Sequence, residues 1–150
     1  MQEGKKSLEI FDASNYKVGL VCTNFNVDII EKIKSSALEK LKEYQVKEEN
    51  IDIYTVAGSV EIPVLLQSLS QKKKHDCLVA IGTVIKGETD HYQYVCKMVS
   101  DGVMRAMLDN TMSIGFAVLT TQNRQLAEER VSLGAEAVVA ALHNARLIKE

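Results

Sequence analysis

The residues with the clearest chemical potential lie in one short stretch, AIGTVIKGETDHYQYV, from Ala80 to Val95. Its apolar run ends at Lys86 and Gly87, and His91 follows where a helix is predicted to begin. Glycine permits positive φ and a close approach of backbone to ligand. The free N–H groups of a first helical turn, together with the helix dipole, favour a bound anion such as phosphate. Because a lone glycine before a helix is common, the turn alone is more often an ordinary strand-to-helix connection.

His91 is the candidate for proton transfer. The positive end of a helix dipole disfavours a charged imidazolium, so a neutral ring able to accept a proton is expected at this position. The other interpretation is a polar capping or surface histidine, and the two stay open on these grounds. His75 and His143 fall outside the loops that follow the predicted strands, and both are interpreted as surface residues.

Four further side chains have both a structural and a functional interpretation. Phe25 and Phe116, at the ends of two predicted strands, would ordinarily pack in the core, but rings at such ends could stack on a flat heterocycle. Glu61 is either an exposed glutamate at a helix start or an acceptor for ligand hydroxyls. Arg130 is either a solvated partner of neighbouring glutamates or a phosphate clamp, since guanidinium fits phosphate with two parallel hydrogen bonds.

An alternation of strands and helices must position these residues. Runs rich in β-formers predict four strands, and amphipathic segments predict the helices between them. The predicted strands are residues 16–23, 51–57, 77–85 and 113–120, and the predicted helices are residues 28–46, about 63–71, about 91–109 and a last region from about 123 with a bend near 132–134. Asp28 and Glu31 resemble a capping box at the start of the first helix.

The alternation predicts an α/β fold, a three-layer sandwich. Middle strands that are apolar on both faces imply a four-stranded parallel sheet with helices on both faces, and a flavodoxin-like order 2-1-3-4 is expected. Such sheets bind ligands outside the carboxyl ends of the strands, where the strand order reverses. Residues 1–150 are interpreted as a single domain, with residues 1–15 as an arm or an edge strand.

Composition narrows the class of function. A net charge of −2 provides no basic field for nucleic acid or an anionic membrane. No apolar stretch approaches the length of a membrane span, and the N-terminus lacks an apolar signal core, so a cytoplasmic location is expected. Three cysteines without CxxC spacing are interpreted as reduced thiols, and no metal site is predicted. Neither a P-loop motif nor GxGxxG occurs, so nucleoside triphosphates and dinucleotides are not indicated.

Several separated stretches together resemble the lumazine synthase family. AIGTVIKGETDHYQYV is similar to the family's Leu-Gly-x-Val-Ile-Arg/Lys-Gly-x-Thr-x-His-Phe/Tyr pattern, and GFAVLTTQNRQLAEER is similar to its Phe-Gly-Val-Leu-Thr-Thr run ending in Glu-Arg. NFN and GSVEIP resemble its Arg-Phe-Asn and Pro-Gly-Ala-Phe-Glu-Ile-Pro segments. The resemblance covers about residues 16–144, and several motifs in the right order are far more specific than any one of them.

The resemblance implies a transferase of riboflavin biosynthesis. The family joins 5-amino-6-(D-ribitylamino)uracil to 3,4-dihydroxy-2-butanone 4-phosphate, releases phosphate and water, and yields 6,7-dimethyl-8-ribityllumazine. No cofactor is implied. A homo-oligomer is expected, a pentamer or a pair of pentamers, with sites at subunit interfaces. Two alternatives stay open: a non-catalytic flavin- or lumazine-binding oligomer of the same fold, and an archaeal-type riboflavin synthase.

The resemblance also implies roles for individual residues. His91 matches the histidine taken as the proton-transfer residue. The positions that bind the uracil and its ribityl chain are matched by Phe25, Ser59, Val60, Glu61, Thr83, Val84, Ile85 and Phe116. Of these, the positions of Thr83, Val84 and Ile85 bind the uracil largely through backbone, and that of Phe116 reaches the site of an adjacent subunit. The positions that bind phosphate are matched by Glu88, Thr89 and Arg130.

Three departures from the family's pattern affect these expectations. Ala57 stands where proline is usual, and Val60 stands where phenylalanine is usual, which makes one ligand contact smaller. Family members commonly carry a Gly- and Lys-rich stretch after the arginine, but Arg130 is followed here by VSLGAEA without a lysine. A second cation near the phosphate is therefore not visible, and a pentamer or a pair of pentamers is expected rather than a closed shell.

Overall fold

Four strands and five α-helices alternate in the computed structural model, which describes residue 4 and residues 6–150. The elements in chain order are β1 (Val18–Thr23), α1 (Val27–Glu43), β2 (Ile51–Val56), α2 (Ile62–Lys72), β3 (Cys77–Ile85), α3 (His91–Asn110), β4 (Ser113–Thr121), α4 (Arg124–Glu128) and α5 (Leu133–Lys149). Short 3₁₀ turns precede β2 and α2. Among the helices described, none combines the length and the apolarity that crossing a membrane requires.

The strands form one parallel sheet in the order β2-β1-β3-β4, which confirms the predicted fold class and strand order. Val18 of β1 pairs with Ile51 on one side and with Cys77 on the other. β3 continues beyond its pairing with β1 and pairs with β4 as far as Ile85 and Thr121. The order reverses between β1 and β3, so the crevice expected for a ligand opens beyond their carboxyl ends.

Two apolar cores cover the two faces of the sheet. α1 and α5 pack over one set of alternating strand residues, which includes Leu20 and Val79. α2 and α3 pack over the opposite set, which includes Val21 and Ala80. Every residue of β1 is buried, as are all of β3 except Ile85, because helices cover these central strands on both faces. β2 and β4 are the edges of the sheet.

α5 lies unusually close to its neighbours. A Cβ atom at Gly134 would clash with the carbonyl oxygen of Ile33 in α1, and one at Gly115 would clash with the backbone of Ala137 in α5. The absence of side chains at these two glycines lets the elements approach backbone to backbone. The bend predicted near residues 132–134 is confirmed, since α4 ends at Glu128 and α5 begins at Leu133.

The predicted capping box at the start of α1 is wrong. The N-cap residue is Asn26, which adopts the left-handed conformation with φ 55°. Asp28 lies inside the first turn, and its carboxylate pairs with Arg124 instead. The tight turn at Asn26 begins the helix before the carboxylate of Asp28 can cap it.

The prediction that His75 and His143 are surface residues is also wrong. His75 is only 7% exposed, and its Nε2 lies 2.8 Å from Oδ2 of Asp52. Gly19 on β1 leaves the space for this ring, since a Cβ there would lie 3.3 Å from it. His143 is half-buried, with its Nε2 2.9 Å from the hydroxyl of Tyr44. Both rings are buried by segments that lie far away in the sequence.

The segment before β1 is extended and packs only in part. Residues 6–13 form no strand within the described chain. Phe11 contacts the rings of Tyr44 and His143 edge-on, whereas Leu8 and Ile10 are exposed. The segment is therefore anchored at Phe11, and its two preceding apolar side chains face solvent in the single chain.

Candidate functional site

A cavity of about 450 Å³ opens beyond the carboxyl ends of β1 and β3. Its volume lies in the range typical of small-molecule sites. The β1–α1 loop, the turn before α2, the end of β3, the turn into α3 and the start of α4 all contribute to it. The lining residues are Phe25, Asn26, Ser59, Thr83, Val84, Ile85, Gly87, Thr89, His91, Tyr92, Val95 and Arg124.

More than half of the residues singled out in the sequence line this one cavity. They are Phe25, Ser59, Thr83, Val84, Ile85, Thr89 and His91. The others lie outside the lining that residue 4 and residues 6–150 define, and they are Val60, Glu61, Glu88, Phe116 and Arg130. Lining a cavity assigns no chemical role, so the roles of both groups stay predictions.

β3 contributes Thr83 to the lining of the cavity, and the hydroxyl of this residue is buried. Thr83 is 3% exposed, and its Oγ1 has no hydrogen-bond partner within the described chain. Ser59 lies on the other face of the sheet from the Thr83 side chain, with its Oγ 3.1 Å from where a Cβ of Gly82 would stand. Leaving a buried hydroxyl unpaired costs free energy, and such groups in native structures call for an explanation. A ligand that bonds Thr83 Oγ1 would remove that cost.

The β1–α1 loop presents an aromatic ring rather than burying it. Phe25 is 66% exposed, so the expectation of core packing is not met. The left-handed turn at Asn26 redirects the chain into α1 directly after it. The ring therefore stands at the edge of the cavity, where its face is free to stack on a planar ligand.

His91 is the first residue of α3, and its ring is exposed at the cavity. Its backbone N–H donates to Oγ1 of Thr89 over 3.3 Å, which orders the turn before the helix. Gly87 in this turn does not use positive φ, contrary to expectation, and a Cβ there would meet no atom of the described residues within 4 Å. The N–H of Gln93 donates to the carbonyl oxygen of Asp90, so two amides of this first turn already have partners. The turn is open to solvent, so an anion can approach the positive end of the dipole of this 20-residue helix.

Tyr92 and Val95 add a wall on the α3 side that the sequence did not assign to the site. Burial raises the pKa of the Tyr92 phenol, and its contact with Cys96 raises it further. The phenol therefore stays neutral at physiological pH. The helical spacing of both residues fits core packing equally well, which is why only their position next to His91 could have indicated them.

Arg124 is the functional candidate that sequence reasoning missed. It is the first residue of α4 and lines the cavity. Its Nε donates to Oε1 of Glu128 over 2.7 Å, and its Nη2 pairs with the carboxylate of Asp28 at the start of α1. In the sequence, only the position of Arg124 just after the loop that follows β4 could have indicated that it reaches the cavity.

Arg130 and Phe116 lie elsewhere. Nη1 of Arg130 donates to the carbonyl oxygen of Leu126 over 2.8 Å and lies 3.6 Å from Glu129. Phe116 is the fourth residue of β4, paired with Ala80, and not at the carboxyl end of the strand as expected. It is 38% exposed because β4 is an edge strand of the sheet.

The three remaining predicted residues belong to the two turns near the cavity. Val60 and Glu61 lie in the 3₁₀ turn Ser59–Glu61, and Glu61 is exposed. Glu88 is exposed in the turn before α3. Across residue 4 and residues 6–150, no group of three or more His, Cys, Asp or Glu side chains is arranged to hold a metal ion.

Comparison with known proteins gives one match that covers almost the whole chain. A family model described as 6,7-dimethyl-8-ribityllumazine synthase matches residues 15–149. The matched range begins just before β1 and ends within the last turn of α5. All the elements that form the cavity therefore lie inside the match.

Proposed function

The chain belongs to the 6,7-dimethyl-8-ribityllumazine synthase family of transferases, and we propose that the cavity beyond β1 and β3 is where it performs that reaction. The reaction joins 5-amino-6-(D-ribitylamino)uracil to 3,4-dihydroxy-2-butanone 4-phosphate in riboflavin biosynthesis. One observation carries the assignment of the cavity: the exposed aromatic ring of Phe25, the end of β3 with Thr83, and His91 at a helix N-terminus line the same space.

The pyrimidine substrate binds between the β1–α1 loop and the end of β3. Phe25 stacks on its ring, and Oγ1 of Thr83 bonds one of its polar edges. Glu61, the last residue of the 3₁₀ turn before α2, accepts hydrogen bonds from ribityl hydroxyls. The further contacts to the uracil and ribityl chain come from Ser59, Val60, Val84 and Ile85, and Phe116 contributes from an adjacent subunit.

The butanone phosphate binds with its phosphate at the N-terminus of α3. Free amides at the start of a long helix attract an anion through both hydrogen bonds and the helix dipole. Glu88 and Thr89 shape this turn, and Thr89 already bonds the backbone of His91. Arg130 completes the phosphate site when its side chain leaves the carbonyl of Leu126.

Proton transfers accompany each step of the reaction. The uracil amine attacks the ketone and, with loss of water, gives an imine, from which the phosphate then leaves. The ribitylamino nitrogen attacks the remaining carbonyl carbon, and the ring closes with loss of a second water. His91 can accept and return protons at the boundary between the two substrates, since it borders both the turn and the cavity. The reaction is accelerated because the cavity holds the two substrates in the orientation needed for reaction, with His91 placed beside them.

Binding of the phosphate also serves the chemistry. The group lies away from the ring that forms, so its binding energy can orient the four-carbon chain. It then departs as the leaving group, and the amides of α3 stabilise the charge that develops on it.

The active form is a cytoplasmic homopentamer or a pair of pentamers. α2 and α3 expose large apolar side chains: Val64, Tyr94, Met98, Met104 and Leu108, the last 72% exposed. We name these five residues the α2–α3 apolar surface. An exposed set of this size is typical of a subunit interface. The exposed Leu8 and Ile10 then act as an arm that covers a neighbouring copy.

An assay with both substrates tests this function. Purified protein should yield lumazine fluorescence and one equivalent of free phosphate, and omission of the butanone phosphate should abolish both. A protein that binds flavin tightly but forms no product at any substrate concentration would be a binder instead. Riboflavin formed from lumazine alone would identify a riboflavin synthase.

A further inference from the structure

We propose that Arg124 is a phosphate-binding residue of this chain. The inference rests on the proposed function and adds a residue to it. Of the described residues that line the cavity, Arg124 is the one with a permanent cationic charge. It shares that lining with Gly87, Thr89 and His91, the turn into α3.

Two carboxylates hold the guanidinium of Arg124, a residue that lines the cavity. Its Nε is held by Glu128 one helical turn away on α4, and one N–H of Nη2 is directed to Asp28 on α1. A guanidinium has five N–H groups, so those of Nη1 and the second one of Nη2 are not used by these two contacts. Because the group is planar, fixing two positions also fixes the direction of the others.

The two carboxylates set a condition on phosphate binding. Counting Asp28 and Glu128 with Arg124, this cluster carries a net charge of −1 and would repel a dianion. Asp28 is the partner that can leave, since it belongs to a different element and its side chain is 63% exposed. Ion pairs between exposed side chains are weak, so phosphate can displace Asp28 from Arg124 at little cost. Glu128 stays in place as the support of the guanidinium.

This competition gives the two partners opposite effects, which separates phosphate binding from a structural role. Arg124→Gln removes the charge and should weaken the binding of inorganic phosphate about tenfold, as expected for the loss of a charged hydrogen bond at a half-exposed site. Asp28→Asn removes the competing carboxylate and should tighten it severalfold. If the ion pair merely joined α1 to α4, both variants would break the same contact and shift binding in the same direction.

The experiment uses the intact protein and calorimetric titration with inorganic phosphate, together with KM for each substrate. We expect Arg124→Gln to raise KM for the butanone phosphate and to leave KM for the uracil within about twofold. Arg124→Lys, which keeps the charge, should restore part of the phosphate affinity. Unchanged phosphate affinity in Arg124→Gln, or a shift in the same direction for Asp28→Asn, would overturn the proposal.

Failure of this inference is distinguishable from failure of the proposed function. A wild-type protein that forms lumazine while Arg124→Gln binds phosphate equally well retains the function and loses the inference. A wild-type protein that forms no lumazine loses the function, and the two titrations then still decide the inference because they need no turnover.

Discussion

His91 lies at the boundary between the first turn of α3 and the cavity, and its position follows from the turn before it. The N–H of His91 donates to Thr89, and the exposed turn leaves its ring free to meet a substrate. A residue that only transfers protons should affect turnover far more than binding. Its substitution therefore separates catalysis from recognition.

We expect His91→Ala to lower kcat about a hundredfold, the low end of the contribution of a positioned acid–base group. The KM for the uracil should stay within about threefold, because the contacts proposed for Phe25 and Thr83 do not involve His91. Steady-state kinetics measures both values. Gln93→Ala, exposed in the same helical turn, is the control. A His91→Ala protein with wild-type turnover would refute the role given to the ring.

The unpaired hydroxyl of Thr83 permits a second test, in which stability and binding change in different ways. Thr83→Val replaces the hydroxyl with a methyl of similar size. The free energy of unfolding should stay the same or rise by up to about 1 kcal/mol, because an unsatisfied buried group is removed. The affinity for the uracil should fall about fivefold, since the ligand loses that hydrogen bond.

Thr23→Val is a matched control for this prediction. Oγ1 of Thr23 is also buried without a partner in the described chain, but the residue does not belong to the cavity lining described above. Thr23→Val should change the free energy of unfolding in urea as Thr83→Val does. It should leave the dissociation constant for the uracil substrate unchanged. Equal affinity of Thr83→Val and the wild type would mean that the hydroxyl does not contact the ligand.

At the scale of the elements, α5 packs closely against α1 and β4, the two elements that lead to the cavity residues Asn26 and Arg124. α5 contacts α1, and β4 leads into α4 and Arg124. Gly134 permits the approach of α5 to Ile33, because any side chain there would meet a backbone carbonyl that cannot rotate away. The position of the cavity wall thus depends on a residue that does not touch it.

Gly134→Ala should lower the free energy of unfolding by about 1–3 kcal/mol, the range found when extra methyl groups are forced into packed cores. Urea denaturation monitored by circular dichroism measures this. Gly87→Ala is the control, since a Cβ there would stand in open space among the described residues, and its stability should match the wild type within about 0.5 kcal/mol. Equal stability of both variants would show that α5 shifts freely.

At the scale of the whole molecule, the α2–α3 apolar surface is left exposed by the residues that the structure describes. Burying such side chains against another subunit stabilises an assembly by roughly 25 cal/mol per Å² of apolar area, before the cost of association. The exposed Phe116 lies on the same face of the sheet, since it alternates in register with Ile114 and Val118 of the core beneath α3. Assembly would therefore bring this ring near a neighbouring copy.

We expect Leu108→Glu to convert the assembly to monomers and to reduce turnover at least tenfold. A charge placed in an apolar interface must be desolvated without a partner, which disfavours association. Analytical ultracentrifugation measures the mass, and the lumazine assay measures turnover. Ser35→Glu adds the same charge at an exposed polar position on α1, which packs on the other face of the sheet, and should leave the mass unchanged. A wild-type protein that is monomeric and fully active would contradict the shared site.

The sequence alone determined the elements and their order in the sheet. β3 was predicted as residues 77–85 and is found as Cys77–Ile85, because a run that is apolar on both sides fits a central strand and little else. Helix ends were less accurate: α1 ends at Glu43 rather than near residue 46, since Gln45 adopts a left-handed conformation. Of the seven predicted residues that line the cavity, Phe25 and His91 were singled out by their own chemistry at the ends of predicted elements. The resemblance implied the other five.

Only the tertiary structure decided what surrounds each side chain. The missing side chain of Gly19 leaves the space in which the His75 ring is buried, and the turn at Asn26 leaves Phe25 outside the core. Arg124 reaches the cavity with Asp28 as its partner, although 96 residues separate them in the chain. Periodicity reports which face of its own element a residue occupies, whereas burial, ion pairing and the lining of a cavity depend on distant segments that packing brings together.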